Sequence, residues 1–265
     1  MQIKTLGLKK LNNTRDLGGF PAKNGKKIKC GMLLRSGRLH KLPLRTVLRL
    51  EAMGVSTVID LRTDRERYEY RDTLLNGADY VILPLVCTAT TGITYSKSMA
   101  RTMLQESKRI KTEFGTADAY MQSMYENILF DPQSQEKLKT FFNLLAEKNG
   151  CILWHCNAGK DRAGICAMLI ESVLGVDKKL IIEDYCATKK FQHTRRFWQK
   201  VTLTISPFPL NFKRILLAMM EPKPQYITGL MDTVEKKYGS VTDYCRQALG
   251  LNDELIKTLK DKYLE

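Results

Sequence analysis

Cys156 and Arg162, separated by five residues, are the pair in this sequence best suited to covalent chemistry. They lie in Gly150-Cys-Ile-Leu-Trp-His-Cys-Asn-Ala-Gly-Lys-Asp-Arg-Ala-Gly164. The stretch reads as a buried strand over 151–155, a polar loop over 156–161 and an apolar helix from Arg162 to Leu174. A loop that leaves a strand and enters a helix N-terminus gathers backbone N–H groups and the positive end of the helix dipole around one point, and that point is an anion site. Asn157, Ala158, Gly159, Lys160 and Asp161 would line it, and Arg162 would grip two oxygens of the anion. A cysteine at the base of such a cradle is expected to be a thiolate at neutral pH. It would attack the phosphorus of a phosphate monoester in line, giving a phosphocysteine and an alcohol or phenol, with no metal or other cofactor.

Other readings of these residues are weaker. A Walker-type phosphate loop needs a glycine where Trp154 stands and a Ser or Thr where Asp161 stands. A zinc site from Cys151, His155 and Cys156 conflicts with strand alternation, which puts Cys151 and His155 on one face and Cys156 on the other. An inert core cysteine would not be followed by Asn, Gly, Lys, Asp and Arg. Cys151 is also a poor disulfide partner for Cys156, because five strand-like residues separate their Cα atoms by roughly 16 Å against a limit of about 7 Å.

The elements that must carry this loop follow from the rest of the chain. Asn12 to Phe20 ends in a Gly18-Gly19 turn, in which Arg15 and Asp16 either bond the turn or serve the site. Asn24-Gly25 suggests a hairpin, and Met32 to Leu34 a strand emptying into Arg35-Ser-Gly-Arg38. Leu44, Val47, Leu48 and Glu51 predict a helix closed by Gly54. Val55 to Leu61 is a β-branched strand whose end, Asp60-Leu-Arg62, delivers a carboxylate and a guanidinium to the sheet edge where α/β sites collect. Thr63 to Tyr70 reads as a charged surface helix and Tyr80 to Leu85 as a strand. Residues 86–131 hold a basic helix over 96–114 and a second from Thr116 with a Met and Tyr stripe, read as a helical lid inserted at 95–130. Asp131-Pro132 starts a helix with Leu138, Phe141, Phe142 and Leu145 inward. Beyond Leu174 the chain is helical, with caps at Asp177, Ser240 and Asn252 and short Pro-containing links at 206–209 and 221–224. No domain boundary is visible, so residues 1–265 are expected to form one domain.

Composition bounds the partners. Lys and Arg number 43 against 28 Asp and Glu, a net +15 in 265 residues, so the ligand is expected to be anionic: a phosphoprotein, an anionic lipid surface or a nucleic acid. The basic run 189–200 spaces its aromatics as a solvated amphipathic helix does, so no specific nucleic acid partner is expected. Seven scattered cysteines without CxxC pairs suit a reducing compartment. The N-terminus has no apolar leader core and no run reaches the roughly 20 apolar residues of a membrane span. A cytoplasmic protein is the default, with export lacking a cleavable signal left open.

His155-Cys156-Asn-Ala-Gly-Lys-Asp-Arg162 resembles the HCxxxxxR loop of cysteine-dependent protein tyrosine phosphatases. It is most similar to the bacterial atypical branch, whose loop reads HCxAGKDRTG and whose members act on phosphotyrosine and phosphoinositides. Asn13-Thr-Arg-Asp-Leu-Gly-Gly19, Leu34-Arg-Ser-Gly-Arg-Leu39, Val58-Ile-Asp-Leu-Arg62 with Asp64-Arg-Glu66, and Tyr238-Gly-Ser240 match that branch in order. The resemblance implies an α/β fold with a mixed central sheet flanked by helices, a helical lid and a helical C-terminal region. It implies dual-specificity chemistry on phosphotyrosine proteins, with phosphoinositides or inositol phosphates as the alternative and a weakly active phosphate-binding module as another. It makes Asp161 the general acid in place of Asp60 or Asp131, and Lys160 a second cation for neighbouring phosphates or a tuner of the loop. One position departs: Ala163 stands where a Ser or Thr is common, so a slower second step with accumulating phosphocysteine is expected.

Overall fold

The computed structural model describes residues 3–85, 108–191, 201, 203–205 and 210–265. Five strands, β1 (Arg15–Asp16), β2 (Leu33–Ser36), β3 (Val55–Asp60), β4 (Asp79–Ile82) and β5 (Cys151–His155), form one sheet in the order β1-β2-β5-β3-β4. β1 is antiparallel to β2, and the other pairings are parallel, so the mixed α/β sheet expected from the sequence is present. Register sets the site: Ser36 and Asp60 both pair with His155, so β2, β5 and β3 end together at one edge, directly before Cys156. Every residue of β5 is buried, as a central parallel strand covered on both faces requires. Alternation splits its side chains between two cores. Ile152 and Trp154 join the larger one under most of the helices; Cys151 and Leu153 join a smaller one.

Ten helices are described: α1 (Leu44–Ala52), α2 (Asp64–Glu69), α3 (Ala117–Phe130), α4 (Pro132–Glu147), α5 (Arg162–Leu174), α6 (Lys178–Phe191), α7 (Leu210–Met220), α8 (Pro224–Tyr238), α9 (Val241–Gln247) and α10 (Asp253–Tyr263). α5 is buried along nearly its whole length and ends at Gly175 in a left-handed conformation, the expected C-terminal stop. α4 buries Leu138, Phe141, Phe142 and Leu145, and the Asp131 side chain caps it through the Ser134 N–H. The stripe Tyr120, Met121, Tyr125 and Ile128 of α3 lies in the larger core, together with Ile110. None of the described helices is long and apolar enough to cross a membrane.

Three expectations are adjusted. β4 spans Asp79–Ile82 instead of 80–85. α1 buries Thr46, Val47 and Leu50, while Leu44 and Leu48 face solvent, because the second core is approached from the other side of the helix. α2 is not wholly a surface helix, since Glu66 is buried. The basic helix of 96–114 is described only from residue 108, and residues 95–107, 192–200 and 206–209 lie outside the described residues.

Candidate active site

The loop 156–161 is a ring of peptides whose carbonyls are tied outward. Arg38 N–H donates to the Asn157 carbonyl, Asn13 Nδ2 to those of Ala158 and Gly159 (3.2 and 2.8 Å), and Arg35 Nη2 to those of Gly159 and Lys160 (2.9 and 3.3 Å). In a trans peptide the C=O and the next N–H point in opposite directions. The N–H groups of residues 158–161 therefore turn to the inner side, over Cys156, and the loop becomes an anion cradle. Gly159 is required twice over: its φ is +67°, and a Cβ there would stand 2.4 Å from the Ser36 carbonyl oxygen. α5 begins directly after the loop and adds its positive end. Trp154 Nε1 donates to the Ala163 carbonyl at 3.1 Å, pinning that first turn; Ala163 itself is fully buried.

Arg162 is aimed by a carboxylate. Its Nη1 and Nη2 each lie 2.7 Å from a Glu66 oxygen, a bidentate pair, and Nη1 also donates to the Leu61 carbonyl at 3.2 Å. Burial disfavours both charges, yet the pairing outweighs it: Glu66 is held below the usual carboxylate range, and the guanidinium is held above its own ordinary value by Glu66 and Cys156. Glu66 is fixed by a capping box with Thr63, whose backbone N–H donates to the same carboxylate. Asp161 caps α5 without a side-chain bond to it, so its carboxylate is free to turn elsewhere. Its Oδ1 accepts from the Tyr125 hydroxyl at 2.5 Å and lies 3.2 Å from Lys160 Nζ. Oδ2 has no hydrogen bond among the described residues. Lys160 is buried, and its ammonium also donates to the Met219 carbonyl.

A family model described as the tyrosine phosphatase family matches residues 6–265. The chain belongs to the tyrosine phosphatase family. It is 26% identical over 254 residues to a Cupriavidus necator protein provisionally named a tyrosine-protein phosphatase, covering 96% of this chain and 86% of that one. It is 24% identical over 253 residues to the triple specificity protein phosphatase PtpB of Mycobacterium tuberculosis, covering 87% and 90%. A tyrosine-protein phosphatase of Nostoc commune is 28% identical over 176 residues, covering 64% and 53%.

The phosphatase loop rests on a buried charge cluster. Arg15 Nε donates to Asp184 Oδ1 at 2.6 Å and Arg35 Nη1 to Oδ2 at 2.5 Å, while Arg15 Nη1 holds Asn13 Oδ1 at 2.5 Å. Both arginines are fully buried, and their charges hold the Asp184 carboxyl below its usual range against the cost of burial. Arg15 thus reaches the loop through Asp184 and Arg35 and makes no part of its wall. Asp16 braces the turn instead, accepting from the N–H groups of Gly18 and Gly31 at 2.8 and 2.6 Å. Asp60 is clasped by Arg62, which also binds Asp72. Asp60, Asp72 and His155 have the spacing of a metal site, but the guanidinium bonded to both carboxylates already fills the cation position. Asp131 is engaged as a helix cap.

Glu66, Tyr125 and Asp184 were not singled out for the site by the sequence reading. Thr63 three residues before Glu66 is a visible capping-box signature, and Asp184 shares its helix face with Ile181, Tyr185 and Thr188, all buried. A lone acid on an apolar helix face demands a buried cation. Which cation it meets is not written locally.

Glu66→Gln is expected to lower kcat/KM on a phosphotyrosine peptide by about a hundredfold, through loss of the Arg162 aim. It should also weaken inhibition by inorganic phosphate. Unchanged phosphate inhibition with a full loss of kcat would show that Glu66 acts on something other than the clamp.

Proposed function

We propose that this phosphatase hydrolyses phosphotyrosine in proteins through a phosphocysteine on Cys156. The reading is carried by one observation: a loop whose outward-tied carbonyls turn its N–H groups over Cys156, beside an arginine held in a bidentate pair. The phosphate sits in the ring, with Arg162 on two of its equatorial oxygens. The Cys156 thiolate attacks phosphorus; the S–P bond forms as the P–O bond to the phenol breaks. Asp161 gives its proton to the leaving oxygen, and Oδ2 is the oxygen available for it, since Tyr125 and Lys160 both occupy Oδ1. Water then attacks phosphorus, Asp161 takes a proton back, and inorganic phosphate leaves as the thiolate returns.

Lys160 serves the loop in this reading. Its ammonium is engaged by Met219 and Asp161, inside the protein, which favours tuning of the acid over capture of a second phosphate. That supports the protein substrate over the inositol phosphate alternative. Asp161→Asn tests the acid: turnover of a phosphotyrosine peptide is expected to fall by roughly 10²–10⁴-fold, and that of an aryl phosphate with an acidic phenol far less. Equal losses on both would remove Asp161 from the role. Soluble inositol phosphates in the same assay are expected to turn over more slowly than the peptide.

A further inference from the structure

We infer that the outer face of α1 is a docking surface for an anionic lipid bilayer. Leu44 and Leu48, one helical turn apart, are 70% and 54% exposed, although the helix already anchors itself through Val47 and Leu50. Arg45 and Arg49 flank them and are exposed, and Lys41 stands directly before the helix. The Thr46 hydroxyl donates to the Lys9 carbonyl at 2.9 Å, which fixes exposed Lys9 and Lys10 beside the first turn. These five cations form no ion pair among the described residues. Elsewhere on the surface, Lys148, Lys178, Lys223 and Arg246 each meet a carboxylate at 2.6–3.1 Å. The single acid of α1, Glu51, is turned to the Asn76 N–H and half-buried.

Protruding aliphatic side chains ringed by unpaired cations match what an anionic membrane surface rewards: leucines enter the acyl boundary and the cations meet lipid phosphates and carboxylates. A nucleic acid would use the cations but gain little from the leucines. The face joins the catalytic edge through residues 37–43, in which Arg38 donates to Asn157 Oδ1 of the loop at 2.7 Å. None of the α1 or lysine side chains of the patch touches the loop, so docking stands independently of the substrate assignment.

The test is co-sedimentation of the full chain with vesicles of phosphatidylcholine, with and without phosphatidylserine. Wild type is expected to sediment only with the serine lipid. Leu44→Ser/Leu48→Ser and Arg45→Glu/Arg49→Glu are each expected to lower partitioning at least about tenfold. Lys236→Glu/Lys237→Glu, the same charge change on exposed positions of α8, is expected to have little effect. Turnover of a soluble aryl phosphate should be unchanged in all of them. Full binding by the leucine variant, equal loss in the α8 variant, or binding to single-stranded DNA with no vesicle binding would overturn the inference.

Discussion

Cys156→Ser is expected to lower turnover of a phosphotyrosine peptide by at least about ten-thousandfold, the order of loss seen when a nucleophile is removed. The reason is chemical and local. A thiol can ionise in a ring of N–H groups beside Arg162, whereas a serine hydroxyl needs a base to take its proton. The site supplies none: His155, the adjacent residue, faces the Asp72 carboxylate with Nε2 at 3.1 Å and its own chain's Cys156 carbonyl with Nδ1 at 3.3 Å. Phosphate binding should survive, since the cradle and Arg162 are untouched, so the variant is expected to hold a phosphotyrosine peptide without consuming it. Stability should change by less than about 1 kcal/mol, because the substituted atom lies in a polar cradle. Burst kinetics, a binding titration and a thermal melt check the three statements, and appreciable turnover by the variant would end the assignment of Cys156.

The largest effect on stability is expected at Asp184. Asp184→Ala leaves the Arg15 and Arg35 guanidiniums buried with no carboxylate between them, a change worth about 3–5 kcal/mol in a urea titration. Glu171, the other acid in that environment, cannot replace it. It is fully buried, neither of its oxygens has a hydrogen-bond partner, and burial first and then the Asp184 charge push its carboxyl well above the usual range, so it is neutral near pH 7. The sign of the pH dependence follows from Asp184 itself. Its carboxyl is lowered in the folded protein, so its contribution is complete above the unfolded value near 3.9 and fades as pH falls through the lower folded value. The gap between wild type and variant should therefore be constant at neutral pH and narrow in acid. Activity should fall as well, since Arg35 holds the Gly159 and Lys160 carbonyls that shape the cradle. A variant with normal stability, or a gap that widens in acid, would mean that the buried cluster is not organised by Asp184.

Much of this was legible in the chain. Strand, loop and helix at 151–174 are local structures: five apolar residues, a glycine-bearing polar turn and thirteen residues ending at Gly175 carry their own signals, so β5 and α5 fall where periodicity puts them. Caps at Thr116, Asp131, Ser240 and Asn252 are equally local, each a side chain bonding an N–H two or three residues on. α1 was harder. Leu44, Val47 and Leu48 fit one helical face by spacing, but which side of the helix the core approaches is a property of the sheet, and it took Val47 and Leu50 while leaving two leucines outside.

By itself the sequence determined the chemistry: a cysteine, six loop residues and an arginine in contiguous order need no distant partner to form an anion cradle at a strand end. Tertiary structure alone decided which side chains aim and hold that chemistry. Glu66 lies 96 residues from Arg162, Tyr125 lies 36 from Asp161, and Asp184 lies 169 from Arg15 and 149 from Arg35. A charge buried in a protein must find an opposite charge in space, not in sequence. Only the converging ends of β2, β5 and β3, with α2, α3 and α6 packed around them, bring those partners within bonding distance of one loop.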